Sequence, residues 1–282
     1  MSARVDAVLP GLAEKLSLTL VSPLTGGEFG ALLVADDDGR ELVLKALPAP
    51  ELAARWEQGR RLATTMRTLG YPAPEYVGGG VTGTLCWSLQ VRLPGAIPDV
   101  MSVAHAGQLI DLARRHEGAA STTTHWQAGT VDEMRASCRA LAGHRESASL
   151  AGELALAVDR CAHAEMRDGD VVHADFHHRN FLAIGDDVTG VFDWELSYVG
   201  DWRLDLVNLA CWAHWVPHGF APEARAVVTA AVFAECPPEI VAFATAMHAL
   251  RTIDFYARVH PDWLAWFVPM VDGTVAEWWR VV

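Results

Sequence analysis

Residues 173–182 read HADFHHRNFL and residues 191–194 read VFDW. His173, Asp175 and Asn180 form a His-x-Asp-x4-Asn pattern, and Asp193 ends a short apolar run, VTGVFD, thirteen positions after Asn180. These residue types at these intervals suit phosphoryl transfer from a nucleotide. One aspartate, Asp175, takes or orients the proton of an acceptor hydroxyl. An asparagine and a second aspartate, Asn180 and Asp193, offer hard oxygen ligands to Mg2+ ions that bridge the phosphates. A lone His-x-Asp would say little; four positions at fixed spacing say more. Plainer roles compete: a turn or capping residue for Asp175, a strand-end residue for Asp193. His173 reads as a brace for the loop. His173, Asp175, His177 and His178 together could also be read as a zinc cluster, but that leaves Asn180, Asp193 and the N-terminal half without a role.

Lys45 is the next residue that asks for a reason. The chain has two lysines, Lys15 and Lys45, against twenty arginines. Lys45 lies inside an apolar segment, ELVLKAL, where an unpaired charge is costly. A compact ammonium placed on nucleotide phosphates accounts for it. Glu57, on the segment that follows, is the expected ion-pair partner; Glu51 suits a helix start. Gly26, Gly27 and Gly30, in SPLTGGEFG, would let backbone amides approach phosphates closely, although any hairpin can hold glycines.

These groups need elements to hold them. LTLV, ALLVA and ELVLKAL read as successive β-strands with turns at the glycines. Residues 49–69 switch to helical spacing, with Leu52, Trp56, Leu62, Met66 and Leu69 on one side, ended by YPAP. EYVGGGV and TLCWSLQVRL read as two further strands, closed by Pro94-Gly95. Helices are expected over roughly 102–117, 131–143, 147–166, 201–216, 222–235, 237–258 and 262–280, with β-like pieces near 170–173 and 181–193. The layout is an α+β, bilobal, protein-kinase-like fold: a small β-rich N-terminal lobe (1–94) that binds nucleotide and a large, mainly helical C-terminal lobe (95–282) with the catalytic loop and substrate site. In such a layout the connector QVRLPG pairs its backbone with a purine, Val91 and Leu93 first. Asp201 and Asp205, in GDWRLDLVNLA, would cap a helix, brace the catalytic loop or touch substrate, with structural roles favoured. Glu195, close to Asp193, could reach substrate or metal.

Composition narrows the partners. Residues 1–94 carry 9 basic and 10 acidic side chains, net −1, and residues 95–282 carry 13 and 25, net −12. An acidic surface disfavours nucleic acid and favours a cationic small molecule. No run of eighteen apolar residues is present and the first fifteen lack a signal-type apolar core, so a cytoplasmic protein without a membrane span is expected. Five cysteines, odd in number and without a CxxC, read as buried thiols.

HADFHHRNFL together with VFDWELSYVGDWRLDL resembles the aminoglycoside phosphotransferase and choline kinase family, whose usual pattern is HGDxHxxN…DWE…GDxxxDLA. The GG hairpin, Lys45, Glu57 and the LPG connector follow in the same order, so the resemblance spans nearly the whole chain. It implies a protein-kinase-like bilobal fold, ATP or GTP with Mg2+, and phosphorylation of a small-molecule hydroxyl; a monomer or homodimer is expected. Two positions depart from the pattern: Ala174 stands for the usual Gly, and His178-Arg179 for the usual Pro-Gly-like pair. Arg179 would add positive charge near the transferred phosphate or point to solvent. The family's acceptors include aminoglycosides, macrolides, choline, homoserine, sugars and basic cyclic peptides. Carboxylates and tryptophans in the C-terminal half lean towards a cationic antibiotic, an aminoglycoside or a peptide of the capreomycin/viomycin type. Trp263 and Trp266 are the expected rim residues, while Trp212 and Trp215 look like core. The alternatives are a metabolic kinase for choline, homoserine or a sugar, and a kinase-like protein that sequesters a ligand without chemistry.

Overall fold

The computed structural model describes residues 8–24, 30–47 and 49–278. The chain divides into two units. One comprises the described residues up to Ala96 together with Phe181–Ile184 and Thr189–Tyr198. The other comprises Ile97–Asn180, Gly185–Val188 and the described residues from Val199 on. The segment that carries Asp193 thus packs with the N-terminal residues, although it lies far along the chain.

The first unit is built on an antiparallel sheet of five strands: β1 (Thr19–Leu24), β2 (Ala31–Ala35), β3 (Glu41–Leu47), β4 (Tyr76–Thr82) and β5 (Leu85–Val91), in the order β1-β2-β3-β5-β4. Directly paired residues share a face of a sheet. Leu32, Val34, Leu42, Leu44, Ala46, Leu85 and Leu89 fill one face, against Leu9, Leu12 and Ala13 of helix α1 (Leu9–Lys15). That short helix was not expected from the sequence, because Pro10 and Gly11 interrupt its apolar spacing. The other face carries Val43, Lys45, Ser88 and Gln90, with Leu47 and Cys86 packed on Trp56 of helix α2 (Ala53–Thr68). Trp56, Leu62 and Met66 of the expected apolar stripe are buried, but Leu69 is 57% exposed. Leu69 falls after the last helical turn. Gly70 takes φ 77°, and the Tyr71 amide returns to the Met66 carbonyl (3.0 Å), so the chain swings Leu69 outward.

The second unit holds helices α3 (Val103–Arg114), α4 (Trp126–Leu141), α5 (Ala148–Cys161), α6 (Arg203–Trp215), α7 (Pro222–Glu235), α8 (Pro238–Val259) and α9 (Leu264–Trp278). Helix α4 starts five residues before its expected position. The Asp168 carboxylate accepts the amides of Thr124 (3.0 Å) and His125 (2.7 Å), satisfying free N–H groups at that end from far along the chain. Among the described residues no helix is long and apolar enough to cross a membrane. All five cysteines are buried and free.

His248, in the middle of α8, is 3% exposed and its Nε2 donates to the Leu204 carbonyl (2.9 Å). Burial, helped by Arg251 and opposed by the Leu204 hydrogen bond, Asp205 and Asp175, lowers its pKa to about 4. The unfolded chain therefore binds the proton more readily than the folded one. The stability gained from a neutral His248 is complete above about pH 6.5 and is lost as pH falls towards 4. Urea denaturation across that window should show a loss of up to about 3 kcal/mol, and His248→Gln should flatten the slope.

Candidate active site

The residues of the expected catalytic loop, His173 to Asn180, belong to the second unit. Strand β6 (Asp170–Val172) is buried and delivers the chain to His173. Asp205, on the first turn of α6 and fully buried, accepts the backbone amides of His173 (2.7 Å) and Ala174 (2.9 Å). It also accepts from His116 Nδ1 at 3.0 Å. Asp205 therefore braces the loop, the structural role its position suggested. Asp201, likewise fully buried, accepts the Arg167 amide (3.0 Å) and pairs with Arg203. The buried His173 ring accepts the Asp175 amide at Nδ1 (3.3 Å), so it too acts as a brace.

Ala174 adopts φ 71°, the left-handed region that L side chains enter at a cost. Its two neighbours are tied down and it must comply. Ala174→Gly should raise unfolding stability by about 1 kcal/mol, read as a higher denaturation midpoint. A lower midpoint would show that the Ala methyl packs usefully.

Both oxygens of Asp175 are held. The Asn180 amide nitrogen donates to Asp175 Oδ2 (2.7 Å) and to its carbonyl (2.8 Å). His177 Nδ1 accepts the Arg179 amide (3.1 Å), so its proton sits on Nε2, which faces Asp175 Oδ1 at 3.2 Å. Burial raises the Asp175 pKa, but His177, His173 and Asn180 outweigh it and hold the carboxyl below its usual range. The His177 ring lies 4.8 Å from the half-buried Trp212. Trp212 is therefore not the core residue its spacing with Trp215 suggested: Trp215 is fully buried, whereas Trp212 flanks the loop beside Asp175. His178 turns into the protein, against Phe220 at 4.9 Å, and burial foremost lowers its pKa to about 3. Among the described residues no group of three or more His, Cys, Asp or Glu is placed to hold a metal ion. Arg179 has an exposed side chain.

The remaining charged groups lie in the first unit. Strand β8 (Asp187–Val191), paired with β7 (Phe181–Ile184), leads into Asp193. Asp193 has φ 68° and precedes a single 3-10 turn, Trp194–Leu196. The Lys45 ammonium binds Asp193 directly and lies 3.6 Å from Glu195. Glu195 is buried and also accepts the Ser88 hydroxyl (3.1 Å). Burial lowers the Lys45 pKa, yet Asp193 and Glu195 overcome it and raise it above the ordinary lysine value. The expected Lys45–Glu57 pair is not formed. Glu57 pairs with Arg60 and lies 3.6 Å from Arg61 on its own helix, and Glu195 holds Lys45 instead.

Gly59 of α2 allows this arrangement. A Cβ there would come within 2.1 Å of the Trp194 carbonyl oxygen, a backbone atom that cannot rotate away. Gly59→Ala gains helix propensity but must push the turn that carries Asp193 and Glu195. Displacement of about 1 Å at such groups costs about 100-fold in rate, so the variant should fold yet lose about that much turnover. Wild-type turnover in a folded variant would show that the turn yields elsewhere.

Gly30 is half-buried and precedes β2; Gly26 and Gly27 lie outside the described residues. The Val91 amide already donates to the Glu75 carbonyl (2.8 Å), leaving Leu93 as the better placed of the two connector residues. Leu93 packs on Gly190, and the Pro94 carbonyl accepts the Thr189 hydroxyl (2.6 Å), fixing the connector to the β7–β8 hairpin. Trp263 and Trp266 are 42% and 52% exposed, and Trp263 stacks on His260 at 4.6 Å.

Comparison with solved structures finds the same fold in antibiotic phosphotransferases. A thermostable mutant of aminoglycoside phosphotransferase APH(4)-Ia, in ternary complex with AMP-PNP and hygromycin B, aligns at TM-score 0.74 and 20% identity, covering 96% of this chain and 98% of that one. A mutant of aminoglycoside 2'-phosphotransferase-IIIa in its GDP complex aligns at TM-score 0.64 and 15% identity, over 98% of each. Macrolide 2'-phosphotransferase MphH from Brachybacterium faecium aligns at TM-score 0.54 and 19% identity, over 92% of this chain and 97% of that one. No curated protein sequence matches. At these identities the structures carry the fold alone. The sequence model of the phosphotransferase enzyme family matches residues 21–256, most of the 282. With a braced Asp175 and a lysine held by two carboxylates on that fold, the chain belongs to the phosphotransferase enzyme family.

Proposed function

We propose that this phosphotransferase moves the γ-phosphoryl group of ATP or GTP, with Mg2+, onto a hydroxyl of a cationic antibiotic and so confers resistance. The acceptor is an aminoglycoside or a basic cyclic peptide of the capreomycin/viomycin type. The observation that carries the reading is Asp175: a carboxylate held at one oxygen by Asn180 and at the other by His177. Such a group is ionised at neutral pH and oriented, yet a weak base. It aligns the acceptor hydroxyl and receives its proton late, as charge develops. The acceptor oxygen attacks the γ-phosphorus, the bond to the β–γ bridging oxygen breaks, and nucleoside diphosphate leaves. Lys45 steadies the phosphates as a compact charge.

The donor set suits Mg2+. Asn180 commits its amide nitrogen to Asp175, which leaves its Oδ1, and Asp193 has a second carboxylate oxygen beside the one on Lys45. An Mg2+ ion held by such oxygens would supply neutralisation of the phosphate oxygens. In this reading residues 1–94 carry the nucleotide groups, while residues 95–282 carry the catalytic loop and acceptor site. The net charge of −12 over residues 95–282 supports a cationic acceptor, and the exposed Trp263 and Trp266 supply aromatic faces for it. Five buried free thiols suit a cytoplasmic setting.

A coupled nucleotide-turnover assay with Mg2+ tests the acceptor, using aminoglycosides, capreomycin, viomycin, macrolides, choline, homoserine and neutral sugars. Turnover with one cationic antibiotic is the expected result. Turnover confined to choline, homoserine or a sugar would make the protein a metabolic kinase. Nucleotide binding with silence across the panel would favour ligand sequestration.

A further inference from the structure

The face of the five-stranded sheet that carries Lys45 also holds buried polar groups that the ion pairs do not employ, the Gln90 carboxamide oxygen and the Tyr76 hydroxyl. Cross-strand partners Lys45 and Ser88 form one row of that face, and both engage Glu195. Val43 and Gln90 form the next row towards the Arg92–Gly95 connector, about 7 Å further along the strands. Gln90 is 4% exposed, and its Oε1 accepts no hydrogen bond among the described residues. Its neighbour across β4 is Tyr76, whose hydroxyl makes no hydrogen bond to it. On the other side Val43 pairs with Leu33, and both are apolar. A buried amide oxygen without a donor is unfavourable, and a ligand that brings a donor to it would relieve that cost.

We infer that Gln90 reads the nucleobase, its Oε1 accepting the 6-amino group of adenine while its Nε2 donates to N7. This rests on the nucleotide-dependent reading above and adds a preference to it. A glutamine carboxamide matches adenine at both positions, whereas guanine presents an oxygen where adenine presents the amino group. Facing guanine, one acceptor would meet another. ATP is therefore the donor and GTP is discriminated against by about 5- to 150-fold in affinity.

Direct calorimetric titration of the full chain with ATP, GTP and purine riboside triphosphate, without acceptor, tests this. Purine riboside triphosphate is ATP without the 6-amino group. Wild type should bind ATP at least about five-fold more tightly than either of the others. Gln90→Met keeps the volume and removes the unpaired oxygen, so it should fold at least as stably while ATP and GTP come to within about three-fold of each other. Equal binding of ATP and purine riboside triphosphate by wild type overturns the inference without any variant. An unchanged ATP preference in folded Gln90→Met also overturns it. Failure of all three nucleotides to bind overturns the kinase reading and this inference with it.

Discussion

Asp175→Asn should lower the maximal turnover rate by about 100- to 10,000-fold while nucleotide affinity stays near that of wild type. The side chain keeps its size, so the effect isolates charge and acceptor capacity. In the wild type both carboxylate oxygens accept, one from the Asn180 amide and one from His177 Nε2. A carboxamide has a single oxygen. One of the two donors must then face an NH2 group, and the acceptor hydroxyl loses a negatively charged partner. Turnover and direct nucleotide binding, measured on the same preparation, separate the outcomes. A loss in turnover alone supports Asp175 as the residue that aligns the acceptor. A loss in binding alone, or unchanged turnover, contradicts that role.

Lys45→Met should have a comparably large effect on turnover, about 1,000-fold, together with an effect on stability. Lys45 is the cation between Asp193 and Glu195, and Glu195 is buried. Removing the ammonium leaves two adjacent carboxylates without their counter-charge. Breaking a buried pair in this way costs about 3–5 kcal/mol when both charges are enclosed. The Asp193 side chain is 38% exposed, and solvent screening brings the expectation nearer about 2 kcal/mol. The denaturation midpoint should fall accordingly, and added Mg2+ should restore part of it, since a divalent cation near Asp193 replaces the missing charge. A full-stability variant would mean that Asp193 and Glu195 find other partners. Lys45→Arg should not rescue turnover, because a planar guanidinium cannot occupy the same compact position.

Most of the fold was legible because its signals are local. Strands β2 and β3 announce themselves as apolar runs separated by DDDGR, and α7 and α8 begin at Pro222 and Pro238, at the first helical turn. The candidate site residues stood out because a loop that is to do such chemistry would fix their spacing in sequence. What sequence hid is long-range. Glu57 was the natural partner for Lys45 because it lies on the next helix, yet the groups that bind Lys45 lie about 150 positions away, at Asp193 and Glu195. The sequence did carry one clue, a second acid two positions after Asp193. Trp212 looked like core because its i,i+3 partner Trp215 is core, but three residues turn a helix through only about 300°. That offset sets Trp212 against His177. The early start of α4 depends on Asp168, more than forty positions from the amides it receives. The Gln90 oxygen could be found only once cross-strand register had set it on the same face as Lys45.

Transfer of a phosphoryl group to a cationic acceptor is the proposed reaction. Incubation of the protein with γ-phosphate-labelled ATP, Mg2+ and each member of an aminoglycoside and cyclic-peptide panel, followed by separation of acceptor from nucleotide, tests it most directly. Label should appear on the hydroxyl of one cationic antibiotic and be abolished by chelation of Mg2+ and by Asp175→Asn. Label that stays on ATP, or that is released only as inorganic phosphate whichever acceptor is present, would contradict it.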